Sequence, residues 1–296
     1  MAPKAHHQQN CSVFHIRNHH AGYQLKVESS PGKLLPFQNN PTYLGITLDR
    51  SLTFKDHILK LKNKVSSQVY LIKCLAGLTW GCSFNVFRTS ASVLVYAPAE
   101  YCSQAWRQSA HTRKLDTQLK EAMRTVSGCV RSTPTDFLPF LSGSLPPTTQ
   151  RNTACLELHR KSQSPDHLLH ETLYIRRTAN RLCSRRPLRP LMENLTNQDY
   201  FPPPVLDSLK PYISCFTNSP PGCYMPSKAR VQLKRLYMGH GRFNDNLYKM
   251  GLADNKNCVC GDIQSASLYH CTVVAPPCSI TNTTNEDLIE YLCNSF

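Results

Sequence analysis

The sequence has no long apolar run. A membrane-crossing helix needs roughly 18 or more consecutive apolar residues. The nearest approach, "ASVLVYAPAEY" at residues 91–101, is short and meets Glu100. The opening "MAPKAHHQQNCSV" also lacks the apolar centre of a secretory signal. Both absences point to an intracellular chain in the cytoplasm or nucleus, neither secreted nor membrane-bound. In such a reducing compartment its 14 cysteines are expected as thiols or metal ligands rather than disulfides.

Acidic residues are scarce as well. Only 19 Asp and Glu face 34 Lys and Arg, a formal charge of +15 over 296 residues. A surface this cationic concentrates polyanions, so nucleic acid is the favoured partner and no small-molecule substrate is expected. No two aspartates are adjacent. The neighbouring acids Glu286 and Asp287 read as the solvated first turn of a terminal helix. No internal repeat is visible.

Hydrophobic period organises what is present. Residues 11–48 read as strands: Phe14 and Ile16, then Tyr23, Leu25 and Val27, alternate, and "SSPGK" supplies a turn. "TYLGITL" continues as a strand in which Gly45 marks a bulge or a close backbone approach. From Ser51 the period lengthens. Phe54, Ile58, Leu61, Val65, Val69, Ile72 and Leu75 recur at three and four, with Lys55, Lys60, Lys62, Lys64 and Lys73 elsewhere on the wheel. This predicts a helix of five or six turns ended by Gly77 or Gly81.

A second helix is expected from about Ser83 to Trp106, with Phe84, Phe87, Ala91 and Leu94 inward and Pro98 as a kink. A third carries Leu115, Leu119, Met123 and Val126 and stops at Gly128. "PTDFLPFLSG" predicts a short helix or turn, and "PPTTQRNTACLELHRKS" a helix with proline in its first turn. Six arginines, Arg176, Arg177, Arg181, Arg185, Arg186 and Arg189, then open a proline-rich, aperiodic stretch. From Lys228 a basic helical start precedes a cysteine cluster and a short terminal helix.

Three long strings, "NPTYLGITLDRSLTFKDHILKLKNKV", "AEYCSQAWRQSAHTRKLDTQLKEAMRTVSGCVRSTPTDFLPFLSGSLPP" and "GHGRFNDNLYKMGLADNKNCVCGDIQSAS", resemble in this order the C-terminal half of reverse transcriptases of non-LTR retrotransposons, the jockey-like LINE type. The resemblance implies an α+β chain. Residues 1–50 would be the strand remnant of a polymerase palm, with a primer-grip-like strand at 43–48. Residues 51–130 would form a helical thumb and 131–175 a helical extension. Residues 176–227 would be a basic, proline-rich linker and 228–296 a zinc-knuckle-like end. It also implies RNA and DNA, as a template-primer duplex, for partners.

The family's enzyme polymerises DNA with two Mg²⁺ ions held by a close pair of aspartates. That pair sits upstream of the part matched here. The chain is therefore expected to bind nucleic acid without polymerising alone. The other readings are a non-enzymatic nucleic-acid-binding protein and an inert retroelement remnant.

Candidate contacts follow. Lys55, Lys60, Lys62 and Lys64 would track a phosphate backbone, or else form a solvated face. The run from Arg176 to Arg189 would clamp phosphates with guanidinium forks, or else serve as a flexible basic linker. Tyr96, Tyr101 and Trp106 are expected in the helical core rather than stacked on bases. His6, His7, His15, His19 and His20 lack the cysteine or carboxylate pattern of a metal site.

Within "CVCGDIQSASLYHC", Cys258, Cys260, His270 and Cys271 are the candidate ligands of a structural zinc. Here the sequence departs from the family, whose histidine stands a few residues before the last cysteine. His270 adjoins Cys271, and adjacent residues of an extended chain face opposite ways. Cys278 is an alternative donor, and free thiols in a loop are the alternative to a site.

Overall fold

The computed structural model describes residues 10–14, 26–77, 82–171, 222–238, 243–257 and 261–264. These are mainly helical, with small antiparallel strand pairs. Strand β1 (Glu28–Ser30) pairs with β2 (Lys33–Leu34) across Pro31 and Gly32. Strand β3 (Thr42–Tyr43) pairs with β4 (Ile46–Thr47). The helices are α1 (Lys55–Leu75), α2 (Phe84–Ala91), α3 (Ala97–Glu100), α4 (Ser103–Trp106), α5 (Thr112–Ser127), α6 (Leu138–Ser142), α7 (Pro147–Ser162), α8 (Ser227–Tyr237) and α9 (Asn244–Lys249). Among the described residues no helix is long and apolar enough to cross a membrane.

Two compact units are distinguishable. The first is drawn from Met1–Ser66, Ala97–Gln118 and Pro147–Gln198, the second from Ser67–Tyr96, Leu119–Pro146 and Asp199–Phe296. In the first unit, Ile58 and Val65 of α1, Trp106 of α4, Leu115 of α5 and Cys155 of α7 are buried. In the second, Val69 and Ile72 of α1 are buried, as are Phe84 and Phe87 of α2, Leu119, Met123 and Val126 of α5, and Leu138 and Leu141 of α6. The apolar stripes read from the sequence thus supply core to both units, as a wide one-sided stripe must.

Three local details differ from the sequence reading. "YLGI" is a tight hairpin rather than part of one strand. Leu44 (φ 46) and Gly45 (φ 80) both take positive φ, the requirement of the two-residue turn whose twist suits a hairpin. A Cβ at Gly45 would meet Cε1 of Tyr101 at 3.4 Å, an ordinary contact, so the positive φ rather than crowding calls for glycine there.

The second helix is also not uniform. A π-helical segment over Ser92–Tyr96 separates α2 from α3. Pro98 has no N–H to give the carbonyl four residues back, and its ring would crowd that carbonyl in a regular helix. Widening the preceding turn relieves both problems. The extra residue shifts the buried face by one position. Val95 and Tyr96 are buried in place of Leu94, which is 38% exposed.

Lastly, Tyr101 is 53% exposed, whereas Tyr96 and Trp106 are core. The residue after it, Cys102, has a left-handed backbone (φ 50) that interrupts the helix and takes Tyr101 off its buried face.

Helix ends follow their residues. Gly128 (φ 71) closes α5, its N–H donating to the Arg124 carbonyl at 2.8 Å, and Gly143 (φ 64) closes α6. Pro147 opens α7, where a missing N–H costs nothing.

Candidate nucleic-acid interface

Helix α1 is set in place by the residues just before it. Asp49 accepts hydrogen bonds from the Thr53 N–H (2.9 Å), the Thr53 hydroxyl (2.7 Å) and the Phe54 N–H. Its carboxylate thereby satisfies donors at a helix start, where a negative charge is also favoured by the helix dipole. The Ser109 hydroxyl donates to the Thr53 carbonyl at 2.6 Å, fixing the same turn to a second segment of the first unit.

On this helix the four candidate lysines form two rows rather than one. At ~100° per residue, Lys55 and Lys62 lie together on one flank of the buried stripe. Lys60 and Lys64 lie together on the other. Lys55, Lys60 and Lys64 are exposed, and Lys62 is half-buried. The Lys60 ammonium donates to the Thr47 hydroxyl at 3.0 Å, joining its row to β4. Asp56, the acid in the first turn of α1, accepts from Asn40 Nδ2 at 2.7 Å.

Beneath Lys60 is His57, 3% exposed. The Thr47 backbone N–H donates to its Nδ1 at 3.3 Å, which places the ring proton of the neutral form on Nε2. Burial, and then the charge of Lys60, hold its pKa below the ordinary histidine value. Its ring meets Trp106 edge-on, with centroids 6.1 Å apart. The positive charge beside the hairpin is therefore carried by Lys60, on a neutral aromatic base.

The β3–β4 hairpin presents Tyr43 and Leu44, both exposed, at its tip. The Tyr101 hydroxyl donates to the Leu44 carbonyl at 3.3 Å and steadies that tip. The first unit thus offers exposed aromatic and apolar side chains on the hairpin and lysines on α1, two of them on the flank tied to β4. Such a surface can pair phosphates with ammonium groups and rest sugar or base faces against rings. Sequence reading placed Tyr101 in the core because the helical period carries straight through it.

The other candidates lie outside the described residues: Arg176, Arg177, Arg181, Arg185, Arg186 and Arg189 of the basic run, and Cys258, Cys260, His270 and Cys271 of the cluster. Next to the cluster, Asn257 and Ile263 pair as an antiparallel bridge, and the Gln264 N–H donates to the Lys256 carbonyl at 2.9 Å. Helix α9 anchors these residues. The Asn244 N–H donates to Gln264 Oε1 (3.1 Å), Asn244 Nδ2 to the Asn257 carbonyl (2.8 Å), and the Asp245 N–H to the Gln264 carbonyl (3.1 Å). Among the described residues no cluster of three or more His, Cys, Asp or Glu side chains is placed to hold a metal.

No family model matches the chain, and no solved structure matches it. Curated relatives do. The Retrovirus-related Pol polyprotein from type-1 retrotransposable element R1 4 of Nasonia vitripennis is 24% identical over 250 residues, covering 80% of this chain and 60% of the relative. The Putative 115 kDa protein in type-1 retrotransposable element R1DM of Drosophila melanogaster is 25% identical over 244 residues, covering 78% of the chain and 23% of the relative. The RNA-directed DNA polymerase from mobile element jockey of Drosophila melanogaster is 32% identical over 102 residues, covering 33% of the chain and 11% of the relative. The chain spans less than two thirds of the length of each. Its homologues are thus proteins of R1- and jockey-type non-LTR retrotransposons, as the three quoted strings lead one to expect.

Proposed function

We propose, from this kinship with R1 and jockey retrotransposon proteins, that the chain is the part of an RNA-directed DNA polymerase that holds nucleic acid, and that it does not polymerise by itself. In this reading residues 1–50 end the palm, 51–130 form the thumb, 131–175 extend it, 176–227 link, and 228–296 form the zinc-knuckle-like end. The partner is an RNA–DNA template-primer duplex. Mg²⁺ belongs to the whole enzyme's chemistry, at carboxylates outside this chain.

The observation that carries the reading is the pair of lysine rows on α1, Lys55 with Lys62 and Lys60 with Lys64, three of the four exposed. Ammonium groups exposed along a helix can pair with backbone phosphates without reading sequence. The arginines from Arg176 to Arg189 would add phosphate contacts, as guanidinium forks do. A zinc ion on Cys258, Cys260, His270 and Cys271 would hold the end together. The bridge between Asn257 and Ile263, which brackets the first two cysteines in sequence, supports that part.

The test is a titration of an RNA–DNA hybrid against the full chain at two salt concentrations. Affinity should fall steeply with salt. Replacing Lys55 and Lys62 by glutamine should flatten the logarithmic salt slope by about 2. Binding indifferent to ionic strength would reject the reading. Primer extension by the purified chain with Mg²⁺ or Mn²⁺ would reject its non-catalytic half.

A further inference from the structure

The second unit contains a cavity of about 310 Å³ whose charged lining is one-sided: Arg124, Arg131, Arg230 and Arg235 against the single acid Glu121. That acid is already engaged. Glu121 Oε1 accepts from the Lys73 ammonium at 2.7 Å, and the hydrogen bond from Lys73 is the main reason its carboxyl is held below the usual carboxylate range. Arg124 stands 3.7 Å from the other oxygen.

The deepest of the four guanidiniums is that of Arg230, 5% exposed. Its Nη2 donates to the Ser227 hydroxyl at 3.2 Å, and its guanidinium carbon lies 5.3 Å from the centre of the Phe84 ring. Its Nε and Nη1 are buried with no hydrogen-bond partner. Arg124 Nε is in the same condition, although its Nη2 donates to the Thr133 carbonyl at 3.4 Å. A buried guanidinium with unanswered N–H groups is a costly state that an anion relieves directly. Arg131 and Arg235 are exposed, so the cations run from the surface to the interior.

The helix ends that border the cavity set the size of the missing charge. Helices α1 and α5 finish there, at Leu75 and at Val126 to Gly128, and α8 begins there at Ser227. With each helix end counted as about half a charge, negative where α1 and α5 finish and positive where α8 begins, and Glu121 as one, the four guanidiniums are left with about two to three positive charges unanswered. A phosphate monoester carries close to two negative charges at neutral pH. The space is larger than a phosphate ion needs, and its remaining wall includes the apolar side chains of Leu75, Phe87 and Val231. An apolar wall beside convergent polar groups suits a ligand with a flat organic body and a charged end.

We propose that this cavity binds the phosphate monoester of a nucleotide, with the phosphate held by Arg230 and Arg124 and the nucleoside body against the apolar wall. The ligand is either the phosphorylated end of a polynucleotide or a free mononucleotide. No reaction is implied. The site goes beyond the duplex-binding reading and needs none of Lys55, Lys60, Lys62 and Lys64, so each can fail without the other.

The experiment is calorimetric titration of the full chain with inorganic phosphate, a nucleoside, its 5′-monophosphate, and one oligonucleotide with and without a 5′-phosphate. The monophosphate should bind roughly tenfold or more tighter than the nucleoside, and Arg230→Gln should remove most of that preference. Because Arg230 is packed inside the unit, Arg131→Gln and Arg235→Gln, at exposed positions, provide variants expected to fold normally. Each should weaken monophosphate binding by roughly threefold to tenfold, with Lys114→Gln, an exposed change in the first unit, neutral. A preference for the phosphorylated oligonucleotide assigns the polynucleotide end. Equal oligonucleotide affinities with monophosphate binding intact assign the free nucleotide. Nucleoside and monophosphate binding alike would overturn the proposal, and so would unchanged monophosphate affinity in Arg131→Gln and Arg235→Gln.

Discussion

The guanidinium of Arg151 closes on the carboxylate of Glu100 through two hydrogen bonds, Nε to Oε2 at 2.8 Å and Nη2 to Oε1 at 2.9 Å. The same group pairs with Asp116 at 2.7 Å and lies 5.1 Å from the Trp106 ring centre. One residue of α7 thereby joins α3, α4 and α5 inside the first unit. Burial pushes the Glu100 carboxyl up, against the opposing pull of Arg151, so the acid depends on its partner to stay charged.

Removing that partner should be severe. Arg151→Met leaves two neighbouring, mostly buried carboxylates without their cation, and the expected loss is about 3–5 kcal/mol. Equilibrium urea denaturation measures it. A loss under about 1 kcal/mol would mean that the acids escape to solvent or take up protons at little cost.

Gly128 faces a different constraint. Its φ of +71 suits glycine, and a Cβ built there would come within 2.4 Å of Val231 Cγ2. Gly128→Ala should therefore cost about 2 kcal/mol or more, from left-handed backbone strain and overpacking together. Adding Val231→Ala should return the packing part and leave the backbone part. The double-mutant cycle would then show the two residues coupled, and additive losses would show that the valine simply moves aside.

Much of the helical frame was legible because one-dimensional period reports burial directly. Ile58, Val65, Leu119 and Met123 are where their spacing puts them. Legibility failed where geometry depends on something other than period. Leu94 yields to Val95 because a proline three residues on widens the turn before it. Tyr101 leaves the core because Cys102 turns left-handed. The Arg151 to Glu100 pair spans 51 residues, and the cavity arginines come from widely separated segments, so no sequence window holds either arrangement. The α1 lysines were named from their place on the helix, and their division into two rows follows from counting round it.

Lys234 makes stability depend on pH with a definite sign. Its ammonium is fully buried, donates to the Leu141 carbonyl at 2.6 Å and sits 4.3 Å from the Phe84 ring centre. Burial lowers its pKa from 10.5 to about 7. Between those values the unfolded chain holds a proton that the folded chain has released. From Lys234 alone, then, stability should rise as pH increases from about 7 towards 10.5 and be level below that window. Lys234→Met removes this contribution. Denaturation midpoints of the two proteins, compared at pH 7 and pH 9.5, should move in favour of the native lysine at the higher pH. A constant difference would show that Lys234 keeps its charge in the fold.

If zinc sits on Cys258, Cys260, His270 and Cys271, as proposed, its removal should act locally. The residues around the first two cysteines are held by ordinary hydrogen bonds, from Gln264 to Lys256 and from Asn244 and Asp245 to Gln264. None of these partners is buried, and exposed hydrogen bonds alone leave a short loop close to local opening. A metal that binds only the closed form stabilises it by mass action, so chelation should strip that protection. Amide exchange at Asp245 and Gln264 should speed up at least tenfold on chelation, while amides of α5 in the second unit, such as Met123, stay unchanged. Cys258→Ser should reproduce the effect without chelator and lower bound zinc from one ion per chain towards none. Exchange at Asp245 and Gln264 that ignores both treatments would leave the cysteines as free thiols and the bridge between Asn257 and Ile263 as the whole of the closure.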